Sequence, residues 1–184
     1  PIHIISTDGG TIGGISCGDE TVIEDGTWHH LAMTWKANTE NGFKAYLDGE
    51  IVDQRSTPNV VLPTIASNNY LGCYAGSSEF INGQLDEVRI WNVERSQSEI
   101  LYNMCSLSDP LSEANLAAYY RLDENTGSVT YDSAGDHHAN LANDPTWTAD
   151  IACVAESDMA VSGNSVEITD GDDTPSVTDG TDFT

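Results

Sequence analysis

Residues 43–54 constrain the fold more than any other stretch. Phe43-Lys-Ala-Tyr-Leu47 alternates, Asp48-Gly49 supplies a two-residue turn that needs φ > 0, and Glu50–Gln54 returns as a second strand. A tight hairpin commits the surrounding chain to antiparallel sheet, and the charged return strand belongs near a sheet edge. Gly49 is therefore read as structural. The preceding block repeats the pattern: Leu31, Met33 and Trp35 share one face, while Trp28, His30, Ala32 and Thr34 share the other. Bulk on both faces fits a strand inside a two-sheet sandwich, with Trp28 a structural anchor.

Further strands are expected at Pro1–Ile5, Tyr70–Tyr74, Gly83–Val93, Leu116–Leu122 and His138–Leu141. Gly9-Gly10 and Gly13-Gly14 read as turn punctuation, and the second strand is placed to begin near Thr27. Ser96-Gln-Ser-Glu99 is a capping box ahead of Ile100, Leu101 and Met104, so one short helix starts there. The fold class is all-β, a jelly-roll sandwich with one short helix and an acidic C-terminal tail.

Charge narrows the partners. Six Lys and Arg against thirty Asp and Glu leave a formal charge of −24, which speaks against nucleic acid and anionic membrane surfaces. No apolar run approaches membrane-spanning length, so no membrane insertion is expected. From Leu122 to Thr184 there are fourteen acidic residues and no Lys or Arg. Cys17, Cys73, Cys105 and Cys153 show no zinc spacing and read as disulfides of an extracellular protein. Four cysteines admit three connectivities; one, Cys105–Cys153 with Cys17–Cys73, would pin the C-terminal segment to the domain.

Four blocks follow one another in order: Asp25-Gly-Thr-Trp-His-His-Leu-Ala-Met-Thr-Trp35, Lys44-Ala-Tyr-Leu-Asp-Gly-Glu50, Asn69-Tyr-Leu-Gly72 and Asn82-Gly-Gln-Leu-Asp-Glu-Val-Arg-Ile-Trp-Asn92. Together they resemble the second half of a laminin-G-like (LamG/pentraxin-type) domain of the concanavalin A-like lectin/glucanase superfamily. The resemblance implies a concanavalin A-like sandwich whose N-terminal strands are missing, in a fragment of a large bacterial secreted or surface protein. Residues 1–104 are then the C-terminal part of that sandwich, and 105–155 a trailing β segment closing or extending it. Residues 156–184 become an acidic linker and the start of a following extracellular repeat.

The resemblance also suggests chemistry. Glycosidases of the superfamily carry alternating carboxylates on one strand, about 5–5.5 Å apart for retaining hydrolysis. Here Asp86 has Gln84 and Val88 as its i±2 neighbours, so no second carboxylate shares its face. Asp86 is read as structural, buried beside Val88 and Ile90 and satisfied by backbone N–H groups or a hydroxyl. His29-His30 cannot place both rings on one strand face, which speaks against a two-His metal site.

Ca²⁺ is the cofactor that the family implies. Asp132 and Asp136, flanking Gly135, are the first candidates, and the Asp170–Asp173 run reads as a linker. Tyr74, Trp91, Tyr119 and Tyr120 are candidates for an aromatic sugar platform, with core packing as the competing use of those rings. The expected role is a non-catalytic extracellular or cell-surface recognition module. It would bind polysaccharide or glycoprotein glycans with a Ca²⁺ contribution. The alternative is an adhesion or spacer domain that contacts a cell-surface protein and binds no sugar.

Overall fold

The computed structural model of the protein describes residues 2–5, 11–15, 26–58, 70–73 and 80–152, with only the backbone described for the first two spans. The chain divides into two units, Pro1–Cys153 and Val154–Thr184, and every described residue belongs to the first. The described strands are antiparallel and one α-helix accompanies them.

Strands β1 (Ile2–Ile5) and β2 (Thr11–Ile15) pair with each other. Gly13 and Gly14 therefore lie inside β2, opposite Ile4 and His3, and not in a turn as their composition suggested. Strands β3 (Leu31–Trp35), β4 (Phe43–Leu47) and β5 (Glu50–Arg55) form a three-stranded sheet in that order. Met33 pairs with Ala45 and Trp35 with Phe43, and these four make a small apolar cluster in which the Trp35 and Phe43 rings meet edge to face. The opposite face is also covered: Tyr46 and Thr34 are buried. A central strand covered on both sides explains why β4 carries bulk at alternate parities. Strand β5 lies at the edge of this sheet, exposed at five of its six positions, and a bulge opposite Ala45 and Tyr46 bends it.

The hairpin turn has Asp48 at φ 50° and Gly49 at φ 82°, the two left-handed positions of a type I′ turn. A Cβ on Gly49 would lie 2.2 Å from Leu101 Cδ2. The glycine is required twice, by its backbone and by the helix packed against it.

That helix is α1 (Gln97–Tyr102). Ser96 caps it: the Ser96 hydroxyl accepts from the Glu99 N–H, and the Ser96 N–H donates to Glu99 Oε2. Ile100 is its buried anchor, and Gln97 Nε2 donates to the Gly49 carbonyl at 2.8 Å. Strand β6 (Val88–Trp91) pairs with β7 (Leu116–Tyr120), and a 3₁₀ turn at Pro110–Ser112 lies between α1 and β7. The short strands β8 (Val129–Thr130) and β9 (Ala139–Asn140) form a last ladder.

Several expected strands are shorter or absent: Leu116–Leu122 ends at Tyr120, and His138–Leu141 is reduced to Ala139–Asn140. Gly83–Val93 reduces to Val88–Trp91, because Glu87 adopts φ 55° and breaks the extended run. The parity that placed Asp86 beside Val88 therefore fails. Leu71–Cys73 is a bend, and β3 begins at Leu31 rather than near Thr27. Cys73 is a free thiol, which removes the Cys17–Cys73 link. Cys105 is disulfide-bonded, and its expected partner Cys153 lies outside the described residues.

Candidate functional site

Three arrangements gather the polar chemistry of the described residues. The first joins β6 to β7. Arg89 Nη2 pairs with Glu87 Oε2, and the Tyr119 hydroxyl donates to the same oxygen. Arg89 Nη1 donates to the Asn103 carbonyl, and its guanidinium lies 5.0 Å over the Tyr119 ring. Only 7% of the Arg89 side chain and 15% of the Glu87 side chain are exposed. Burial, then the hydrogen bond to Glu87, pushes the Tyr119 hydroxyl above its ordinary pKa, so it stays a donor. These bonds offset the left-handed backbone of Glu87, which costs about 1–2 kcal/mol for a residue with a Cβ. Asp86 is half-buried; its carboxylate accepts from the N–H groups of Glu87 at 3.0 Å and Ala152 at 2.8 Å. Both carboxylates are engaged by groups of the fold.

The second arrangement is the loop after β8. Asp132 is 6% exposed and accepts from three backbone N–H groups: Tyr119 at 2.9 Å, Ala134 at 2.8 Å and His137 at 3.1 Å. Its own N–H donates to His138 Nδ1, and the Tyr120 hydroxyl donates to the His137 carbonyl at 2.5 Å. Burial pushes the Asp132 carboxyl up, but the three N–H groups outweigh it and hold the acid below its ordinary value. Three of the roughly four acceptor positions of a carboxylate are thereby used within the loop. Asp136 is exposed. Among the described residues, no group of three or more His, Cys, Asp or Glu is placed to hold a metal. Asp132 and Asp136 do not fit the Ca²⁺ site proposed for them, because the buried carboxylate is committed to backbone donors.

The aromatic platform is corrected as well. Tyr119 and Tyr120 are 0% and 8% exposed, so neither ring can receive a sugar. β7 is covered on both faces, one by the Arg89 side and the other by the Asp132 loop. Trp91 is half-buried and its face is taken by the Arg95 guanidinium at 4.0 Å. Tyr74 lies outside the described residues. Trp28 is half-buried ahead of β3.

His29 and His30 precede β3, so strand parity does not govern them, and Asp48 holds both: Oδ2 lies 2.8 Å from His29 Nδ1, and Oδ1 accepts from the His30 N–H at 2.9 Å. The buried His30 Nδ1 has no hydrogen-bond partner among the described residues. Burial, then the Arg89 charge, lowers the His30 pKa against the pull of Asp48.

The third arrangement was not picked out as a site in the sequence. Two open depressions flank the ion pair between Arg95, just before α1, and Glu99 within it, and both are lined by those two residues. One, of about 470 Å³, adds Ser98, Tyr102, Asn103 and Glu113. The other, of about 430 Å³, adds Lys44, Tyr46, Ile51, Glu94 and Gln97 among its walls. Tyr102 is 89% exposed, the most open large apolar side chain among the described residues. The resulting trough combines an exposed aromatic ring with hydroxyl, amide, guanidinium and carboxylate groups from α1 and the residues that flank it. Its signal in the sequence was helical spacing. Tyr102 follows the buried Ile100 by two residues and so points to the opposite side, and Arg95 and Glu99 are four apart.

Comparison with known proteins agrees with this architecture. The laminin-G-type family model described as the concanavalin A-like lectin/glucanases superfamily matches residues 3–101, just over half of the chain. The chain belongs to that family. It is also similar to the sushi, von Willebrand factor type A, EGF and pentraxin domain-containing protein 1 of Rattus norvegicus and of Mus musculus. Each is 26% identical over 121 residues, which is 61% of this chain. The chain spans about 3% of the length of those relatives. A crystal structure from Bacteroides ovatus, provisionally described as a carbohydrate-binding protein, is 24% identical with a TM-score of 0.46. The match covers 65% of this chain and 38% of that one. Among the described residues, no helix is long and apolar enough to cross a membrane.

Proposed function

We propose that the chain is a non-catalytic glycan-recognition module of an extracellular multidomain protein, and that it reads sugar at the trough along α1. The observation that carries this reading is the trough itself. A pyranose presents an apolar C–H face and a rim of hydroxyls, and Tyr102 with its polar neighbours offers the complement of both. The trough is open and shallow, which suits an oligosaccharide that is held without being enclosed. Affinity is then expected between micromolar and millimolar, roughly −8 to −4 kcal/mol.

The disposition of the carboxylates supports a role without hydrolysis. Retaining hydrolysis needs two carboxyl groups about 5–5.5 Å apart, one free as nucleophile and the other as acid. Asp86 and Glu87 are instead tied to backbone N–H groups, Arg89 and Tyr119.

A glycan array on the full chain, run once with Ca²⁺ and once with EDTA, tests the reading. Binding to a glycan class that survives EDTA and is lost in Tyr102→Ala is the expected result. Binding that collapses in EDTA would move recognition to a calcium-bearing loop. No binding in either condition, from protein shown to be folded, would sink the glycan reading and favour the spacer role.

A further inference from the structure

We infer that the trough selects uncharged glycans and rejects acidic ones such as uronate-bearing or sulfated chains. This rests on the glycan reading above and adds the substrate class. Acidic glycans are recognised by lysine and arginine side chains left free to meet carboxylate or sulfate oxygens. This chain has six such cations, at positions 36, 44, 55, 89, 95 and 121, and all are among the described residues.

Five of the six already have a carboxylate partner, among them both cations of the trough. Glu94 takes both Lys44 at 3.0 Å and Lys36 at 3.9 Å. Arg95 is held twice, by Glu99 at 3.3 Å and by the Trp91 ring at 4.0 Å. Arg55 pairs with Asp53 at 2.6 Å and Arg89 is buried with Glu87. Arg121 is exposed after β7 and lines neither depression of the trough.

The balance within the trough is worse than neutral for an anion. Its walls carry Lys44 and Arg95 against Glu94, Glu99 and Glu113, two positive charges against three negative. Glu113 borders the Tyr102 depression and has no ion pair with any Lys or Arg. An acidic ring stacked on Tyr102 would therefore meet an uncompensated carboxylate and would have to break an existing ion pair to find a cation. Around this trough the whole chain carries −24, a field that disfavours approach of any polyanion. A neutral sugar meets none of these costs, because its hydroxyls donate to Glu99 and Glu113 and accept from Arg95, Asn103 and Ser98.

Isothermal titration of the full chain in EDTA tests the inference. The probes are neutral β-glucan, xylan and mannan oligosaccharides, with oligogalacturonate and a sulfated galactan oligosaccharide as acidic counterparts, each at 50 and 500 mM NaCl. Expected is binding of at least one neutral ligand that changes less than about twofold with salt, and binding of the acidic ligands at least tenfold weaker at 50 mM. Glu113→Gln should narrow that gap about three- to tenfold by removing the surplus charge. Tight binding of an acidic glycan that weakens as salt rises would overturn the inference while leaving glycan recognition intact. Binding of no glycan of either kind would overturn both.

Discussion

Asp132→Ala is the perturbation whose consequence follows most directly from the structure. The substitution removes one buried carboxylate that accepts from Tyr119, Ala134 and His137. A hydrogen bond to a charged acceptor contributes about 1.5–3 kcal/mol, and a buried donor left unpaired costs about 1–3 kcal/mol. Tyr119 is fully buried, so its N–H would be orphaned, whereas His137 is exposed and can turn to water. One full loss and two partial ones sum to roughly 3–5 kcal/mol. For a unit of this size that corresponds to a fall in Tm of about 10–15 °C. Asp132→Asn keeps one acceptor oxygen but turns an NH₂ group toward an N–H donor, and should cost about 1–2 kcal/mol.

Urea unfolding followed by circular dichroism, with the same series repeated in Ca²⁺ and in EDTA, measures both variants. Stability should fall from wild type through Asp132→Asn to Asp132→Ala, with the same spacing in the two conditions. A loss below about 1 kcal/mol for Asp132→Ala would refute the hydrogen-bond accounting. A wild type that drops to the level of the alanine variant in EDTA would show that Asp132 is a metal ligand after all.

Three further outcomes are expected. Gly49→Ala forces a side chain into φ 82° and against Leu101, and should cost about 2–4 kcal/mol in thermal unfolding; an unchanged Tm would mean that α1 does not dock on the turn. Ser96→Ala deletes the cap of α1 and should cost about 0.5–2 kcal/mol, read as lost protection of the Glu99 amide in hydrogen exchange. His30 binds its proton less readily folded than unfolded, so between its lowered value and 6.5 the unfolded chain holds more protons and stability falls as pH falls. Denaturation across pH 7 to 5 should show that slope, and His30→Gln should flatten it; an identical slope in the variant would assign it elsewhere.

What the sequence revealed and what it hid divides along the range of the interactions involved. The Asp48-Gly49 turn and the Ser96–Glu99 capping box are settled within four residues, and both stand where their spacing placed them. The pairing of Met33 and Trp35 with Ala45 and Phe43 follows from the same alternation. Glu87 is different. Its left-handed backbone is held by Arg89 and by Tyr119, 32 residues away in the chain, and no local pattern announces it. The Tyr119-Tyr120 pair looked equally suited to a sugar platform or a core. Burial was decided by contacts between distant segments, Arg89 and Glu87 over the Tyr119 ring and the loop after Asp132 at the Tyr120 hydroxyl. Tyr102 went unread because it ends a short helix whose neighbours, Ile100 and Leu101, suggested packing.

The central claim is that a folded, non-catalytic module holds glycan on the α1 trough, and NMR footprinting of ¹⁵N-labelled protein titrated with a neutral oligosaccharide tests it most directly. Saturable shifts confined to residues 95–103 and Glu113, abolished by Tyr102→Ala without loss of the folded spectrum, are the expected result. Saturable shifts centred on the Asp132 loop instead, or none at millimolar sugar, would contradict it.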